Sequence, residues 1–169
     1  MIAFRSIDEK DLPLLKSWRN SQEVYQYTRE YRLLTDDDQL RWYKTYLSQR
    51  RRSEFDTELY ILVDDKRDIG AGGFTRVEWR NRKAELSFYL SQDCQGERRI
   101  KECLHALIKL GFETFNLHKI CWPVYEHDPK LPIYKQVFAG EAVLKEEYFW
   151  AGKYQDRLYL SVIKKNVYK

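Results

Sequence analysis

The stretch from Gln95 to Ile120 constrains this chain more than any other. It opens at a glycine-bearing turn and continues with apolar residues at Ile100, Cys103, Leu104, Leu107, Ile108 and Gly111. That spacing is the i, i+3, i+4, i+7 pattern of a helix with one buried face. A polar connection, Glu113 to Asn116, leads straight into the apolar run His118 to Tyr125. The stretch therefore predicts a basic loop, a helix and a strand, following an earlier strand. At such a loop, backbone N–H groups and the helix dipole can hold a phosphate.

Composition narrows the setting. A chain of 169 residues, 43% hydrophobic and 33% charged, suits one domain with a single sizeable core. A net charge of +4 and a pI near 8.8 fall short of a nucleic-acid binder's basic stripe but suit a small anionic ligand. Thirteen Tyr, 8 Phe and 5 Trp fit either a binding groove or a β-rich core. The densest basic cluster, Gln49-Arg50-Arg51-Arg52, reads as a solvated loop or an anion contact. Cys94, Cys103 and Cys121 form no C-x-x-C pair and no metal-ligand spacing, and the three histidines are scattered, so no metal is expected. Met1 to Asp11 lacks an apolar leader region, and no run approaches membrane-spanning length. The expectation is a cytoplasmic protein with reduced thiols and no membrane partner.

The rest of the chain supplies a scaffold. Ile2 to Ile7 alternates as a strand, and Asp8 offers an N-cap to a helix with Leu12, Leu14, Leu15 and Trp18 on its apolar face. Val24 to Tyr31 is a tyrosine-rich connection. Thr35 caps a second helix that carries Asp36, Asp37 and Asp38 in its first turn and buries Leu40, Tyr43, Tyr46 and Leu47. Strands follow at Glu58–Val63, Ile69–Trp79 and Ala84–Ser91. Gly70, Gly72 and Gly73 in the second of these suggest a bulge or close backbone approach. After the central unit come a Pro129/Pro132 turn, a short helix around Tyr134, and a hairpin of Val143–Trp150 with Tyr154–Ile163. The order is β-α-α-β-β-β-α-β-α-β-β, with no repeat and no linker.

In this order and these motifs the chain resembles the GNAT superfamily of acyl-CoA-dependent N-acetyltransferases, over essentially its whole length. Gln95-Gly96 resembles the opening of that family's pyrophosphate loop, and Phe115 to Ile120 the phrase that closes the following helix. Val124 to Tyr134 resembles the strand and helix carrying the usual Val…Asn…Tyr pattern. Val143 to Phe149, then Gly152-Lys153-Tyr154 and Asp156, is similar to the hairpin of the ribosomal-protein-type branch. Asp11-Leu12, Trp18-Arg19-Asn20, Leu34-Thr35 and Trp42 look like the branch that acetylates nucleotide-linked amino sugars, the flagellin-sugar type. Protein N-terminal and polyamine acetylation belong to the same wider group. A polyamine fits worst, because a cationic substrate wants an acidic pocket.

The resemblance implies an α/β fold: a mixed, mostly antiparallel sheet, a splayed parallel pair at Ala84–Ser91 and Lys119–Tyr125, and flanking helices. It implies acetyl-CoA as cosubstrate and a primary amine as acceptor, which on the amino-sugar branch is an anionic sugar nucleotide. Pairing into a homodimer through edge strands is a further possibility. Tyr134 takes the family's general-acid position and Glu85 is a candidate base. Backbone around Leu86, Phe88 and Tyr89 would polarise the acyl carbonyl. Gln95, Gly96, Glu97, Arg98, Arg99 and Ile100 would hold the pyrophosphate, and His127 stands where an Asn usually meets coenzyme A. Arg98 and Ile100 occupy positions where the family has small residues, and no glycine precedes Phe138. A catalytically silent binding module therefore stands as the alternative, with nucleic-acid binding behind it.

Overall fold

The computed structural model describes residues 1–28, 32–51 and 55–167. Seven strands form one sheet in the order β1-β2-β3-β4-β5-β7-β6. They are β1 (Ala3–Ser6), β2 (Glu58–Asp64), β3 (Arg67–Glu78), β4 (Lys83–Leu90), β5 (Lys119–Tyr125), β6 (Gly140–Trp150) and β7 (Lys153–Ile163). All neighbours are antiparallel except β4 and β5. Between them run α1 (Leu12–Arg19), α2 (Gln22–Tyr25), α3 (Asp36–Arg50), α4 (Glu97–Glu113), α5 (Leu131–Val137) and α6 (Lys164–Val167).

Alternation along the strands sends apolar side chains to both faces of the sheet. One face carries Ile61 and Ala71 against α1 and α3, through Leu12, Leu15, Trp18, Tyr43 and Tyr46. The other carries Leu62, Phe74, Ala84, Leu86 and Leu90 against α4 and α5. The α4 stripe is buried as its period predicts, and Phe112 joins it. Two glycines set how closely α4 lies on the sheet. A Cβ at Gly111 would come within 2.8 Å of the Phe74 ring, and one at Gly72 within 2.8 Å of Leu107 Cδ1. Gly72 thus serves close approach, while Gly70 borders the irregularity opposite Leu62/Val63; a second irregularity falls at Thr75/Glu78.

Several local expectations hold and a few need correcting. Thr35 Oγ1 accepts from Asp38 N (3.1 Å), and Asp38 Oδ2 accepts from Thr35 N (2.9 Å), which closes the N-terminus of α3. On α3, however, Leu47 is exposed and Gln39 is buried, because the helix turns Gln39, Tyr43 and Tyr46 inward. Pro132 falls in the first turn of α5, where a missing N–H costs nothing. In the basic cluster, Arg50 lies within α3 and forks onto Glu58 (2.8 and 3.0 Å); Arg52 is outside the described residues, as are residues 29–31 of the tyrosine-rich connection.

One guanidinium ties β1 to both neighbouring layers. Arg5 donates to Asp11 (2.8 and 3.0 Å), at the start of α1, and to Asp68 of β3 (3.0 and 2.5 Å). Burial by itself would raise the Asp11 pKa, but the Arg5 hydrogen bonds and the Asp8 N–H outweigh it and hold Asp11 below its usual value. Asp11's contribution to stability is therefore complete above its unfolded pKa of about 3.9 and is lost as pH falls through the lower folded value. Arg5→Ala strands a buried carboxylate and is expected to cost about 2–4 kcal/mol at neutral pH. Urea unfolding should show that deficit shrinking as pH falls below about 3.9 and through the lower folded value.

Candidate active site

The parallel strands β4 and β5 pair over only three positions, Lys83↔Lys119, Ala84↔Ile120 and Glu85↔Cys121. Beyond them each strand keeps its outer neighbour. Residues Leu86 to Leu90 stay paired to β3, and Trp122 to Tyr125 stay paired to β7. The sheet therefore opens into a cleft whose inner backbone edges face no strand. Large rings fill its root: Trp122 lies 5.9 Å from Phe88, 4.4 Å from Tyr134 and 5.6 Å from Phe138, centroid to centroid. Pro123 sits past the last β4–β5 pair, where a residue without an N–H removes no bond between those strands.

Three cavities meet at this opening. One of about 350 Å³ is lined by Arg19, Thr28, Thr75, Ser87, Trp122 and Pro123, together with Leu86, Phe88 and Tyr89. A second, about 330 Å³, shares Arg19, Ser87 and Tyr89 and reaches Arg32, Asp38 and Trp42 of the α1–α3 side. A third, about 50 Å³, lies on the side of Tyr134, Asp128, Lys130 and Gln95. The expected trio Leu86, Phe88 and Tyr89 is thus brought to the cleft.

The loop after β4 differs from its expected form. Gly96 is the N-cap of α4, so Glu97 to Ile100 already belong to the helix. The N–H groups of Glu97, Arg98 and Arg99 have no intrahelical partner, and a Cβ built at Gly96 meets no atom within 4 Å. The start of α4 is open to a phosphate through backbone alone. The side chains do something else. Arg98 pairs with Glu102, and Arg99 with Glu102 and Asp64, along the flank facing β1. Ile100 is 1% exposed and belongs to the core. Helical geometry carries two of these side chains outward and one inward, which leaves the expected phosphate contacts to the backbone. Gln95 Nε2 donates to Leu90 O (2.7 Å) and Ser91 O (3.0 Å), bracing the turn from β4 into α4.

His127 is a further correction. Its Nδ1 lies 2.9 Å from the Tyr148 hydroxyl, and its ring stacks on Trp150 and lies near Tyr27 and Tyr125. It lines none of the three cavities. Glu85 shares the α1–α3 face with Ser87 and Tyr89, but its carboxylate pairs with Arg76 at 3.1 Å.

Tyr134 is 5% exposed, and its hydroxyl donates to Asp128 Oδ2 at 3.2 Å. Burial, and then the Asp128 charge, push the phenol far above its ordinary pKa. Burial likewise raises Asp128 and lowers Lys130, whose Nζ donates to Glu23 O at 3.3 Å. Desolvation pushes Tyr89 up to about 12, against the pull of the Arg19 guanidinium 5.5 Å from its ring. Asp128 and Arg19 line the cleft, and residue patterns had given neither side chain a role there. Pro123, a proline inside a central strand, was the legible signal that pairing stops there.

Fold and cleft define the class: an α/β domain that seats an extended, phosphate-ended ligand between two parted parallel strands. Residues 2–130 match the family model of the acetyltransferase (GNAT) domain, most of the chain, and the chain belongs to that family. The acyl donor of the family is acetyl-CoA, and the unpaired β4 edge and bare start of α4 fit it. No curated protein sequence matches the chain.

Solved structures of the Vibrio cholerae spermidine N-acetyltransferase share the fold. The complex with CoA and spermine superposes with a TM-score of 0.82 at 21% identity, covering 99% of this chain and 98% of that one. A chimera of that enzyme gives 0.86 at 20% identity, over 99% and 98%. Its dodecameric form in an intermediate state gives 0.81 at 20% identity, over 98% and 95%. Among the described residues, no helix is long and apolar enough to cross a membrane, and no cluster of His, Cys, Asp and Glu is placed to hold a metal ion.

Gln95→Ala frees two carbonyls at the turn that aims the start of α4. Calorimetric titration with coenzyme A is expected to show affinity weakened by about 5–10-fold, the equivalent of one net hydrogen bond.

Proposed function

We propose that this chain transfers the acetyl group of acetyl-CoA to a primary amine by direct attack, on an acceptor that also carries an anionic group. The observation that carries the reading is the opening between β4 and β5, which has Tyr134 at one side and Arg19 at the other. Backbone N–H groups within Leu86 to Tyr89 polarise the acyl carbonyl, a task suited to fixed dipoles in a dry cleft. The amine enters from the α1–α3 face and gives its proton to water, because the Glu85 carboxylate is already held by Arg76. Tyr134 returns a proton to the departing thiolate.

Charge on the acceptor side supports the anionic acceptor. Arg19 lines both larger cavities and, among the described residues, makes no ion pair. Among the described residues the one carboxylate lining them is Asp38, which accepts from Thr35. A nucleotide-linked amino sugar has the matching chemistry, with phosphates for a guanidinium fork. A polyamine, the acceptor named for the Vibrio cholerae enzyme, would meet arginine there. Edge strands β1 and β6 leave room for pairing into a homodimer.

Two measurements test this. Tyr134→Phe is expected to lower kcat by at least about 100-fold while leaving acetyl-CoA affinity within about threefold; unchanged turnover removes Tyr134 from the acid role. In a panel of acceptors, a nucleotide-linked amino sugar should exceed spermidine in kcat/KM. Arg19→Ala should raise its KM by about 10–100-fold, the worth of one charge-assisted contact. A preference for spermidine that is indifferent to Arg19 would replace the anionic acceptor with a polyamine.

A further inference from the structure

We propose that Asp128 is the proton source behind Tyr134: a buried carboxylic acid that hands its proton to the phenol oxygen as the phenol gives its own to the thiolate. This rests on the reading of Tyr134 as general acid, and it answers a difficulty in that reading.

A thiol titrates near ~8.5 and a free phenol near ~10, so a lone tyrosine protonates a thiolate about 30-fold uphill. Burial makes the tyrosinate of Tyr134 more costly still. A second proton arriving at the phenol oxygen removes the need to form it. Asp128 is the group placed to supply one. Its Oδ2 lies 3.2 Å from the Tyr134 hydroxyl, and the residue is 7% exposed. Its Oδ1 accepts from Lys130 N at 2.8 Å, which fixes the carboxyl plane in the turn after β5. No cation lies within ion-pair distance of it among the described residues; the Lys130 N–H and Tyr134 hydroxyl favour its carboxylate form, and burial outweighs them and raises its pKa. The charged and titratable groups around the pair are Lys130 and His127 on its own loop, Glu23 and Tyr27 from α2 and the turn after it, and Tyr89 from β4. Lys130 has lost basicity to burial, and its Nζ bonds to Glu23 O rather than to Asp128.

With Asp128 ionised, the Tyr134 proton points at the carboxylate and away from the cleft. With Asp128 protonated, its O–H donates to the phenol oxygen and the Tyr134 O–H is free to turn toward sulfur. The transfer then balances. The Asp128 O–H bond breaks as a new Tyr134 O–H forms, the old Tyr134 O–H breaks, and an S–H bond forms. Asp128 is left as carboxylate, Tyr134 neutral and the thiol neutral. Solvent protonates Asp128 again before the next turnover, matching the proton released by the acceptor ammonium.

Because the active form carries the proton, wild-type kcat should fall as pH rises through the Asp128 pKa, which burial raises above the usual carboxylate value. Asp128→Asn keeps an acceptor for the Tyr134 hydroxyl but has no acidic proton to give. It is expected to lower kcat about 10–100-fold, leave coenzyme A affinity by calorimetry within about threefold, and lose that fall in kcat. Asp128→Glu, which keeps an acid, should retain the fall at a displaced pH, and it carries the test if the Asn variant does not fold. Wild-type kcat with an unchanged pH profile in Asp128→Asn, or a fall unmoved in Asp128→Glu, overturns the proposal. Tyr134→Phe separates the two ideas. Low turnover there beside a fully active Asp128→Asn sinks only Asp128, whereas an active Tyr134→Phe sinks the acid role itself.

Discussion

The structure turns on how briefly β4 and β5 pair. Three residues on each strand hold the two halves of the sheet together before they part. Every strand beyond is secured elsewhere, β4 by β3 and β5 by β7, so the parting costs no stability that the outer ladders do not supply. It leaves buried-strand backbone with open hydrogen-bonding groups, which a solvated or ligand-bound cleft must satisfy. Trp122, Phe88 and Tyr134 pack together on the α4–α5 face beside the gap. The same rings anchor α5, so the residue assigned to acid chemistry and the aromatic floor of the cleft belong to one packed cluster.

How much of this was legible in the chain depended on the period of the signal. The α4 stripe, the strand alternation at Ala84–Ser91 and the Thr35 cap are local patterns, and each came out as read because burial on one face is what those periods encode. The turn into α4 was legible along the chain, but the directions of its side chains were not. Whether Arg98 and Arg99 face a ligand or a carboxylate depends on where the helix begins, and a shift of one or two residues swings a side chain by 100–200°. His127 was misjudged for a different reason. The rings that box it come from Tyr27, Tyr125, Tyr148 and Trp150, which only the folded sheet brings together. Asp128 escaped notice because a carboxylate in a turn normally reads as a solvated or capping residue; its burial against Tyr134 is a tertiary fact.

Shared fold and shared acceptor are separate questions. At 20–21% identity the likeness to the Vibrio cholerae spermidine enzyme carries the sheet, its parting and the helix arrangement. Side chains on the acceptor side are this chain's own. Among the described residues Arg19 makes no ion pair, while Glu85 pairs with Arg76 and Asp38 accepts from Thr35. Arg19 also stands over the Tyr89 ring, its Cζ 5.5 Å from the centroid.

The same separation applies to proton chemistry. A family's tyrosine can sit in its usual place and still be a poor acid, if burial raises its pKa without giving anything in return. In this chain burial acts on both members of a pair in one direction, raising the carboxyl toward neutrality and the phenol away from ionisation. A phenol that cannot afford to become tyrosinate is a suitable conduit for a proton, provided that a neutral acid stands behind it. Asp128, fixed by the Lys130 backbone and excluded from water, has that position. The desolvation that would disable Tyr134 on its own is therefore the condition under which the two residues work together.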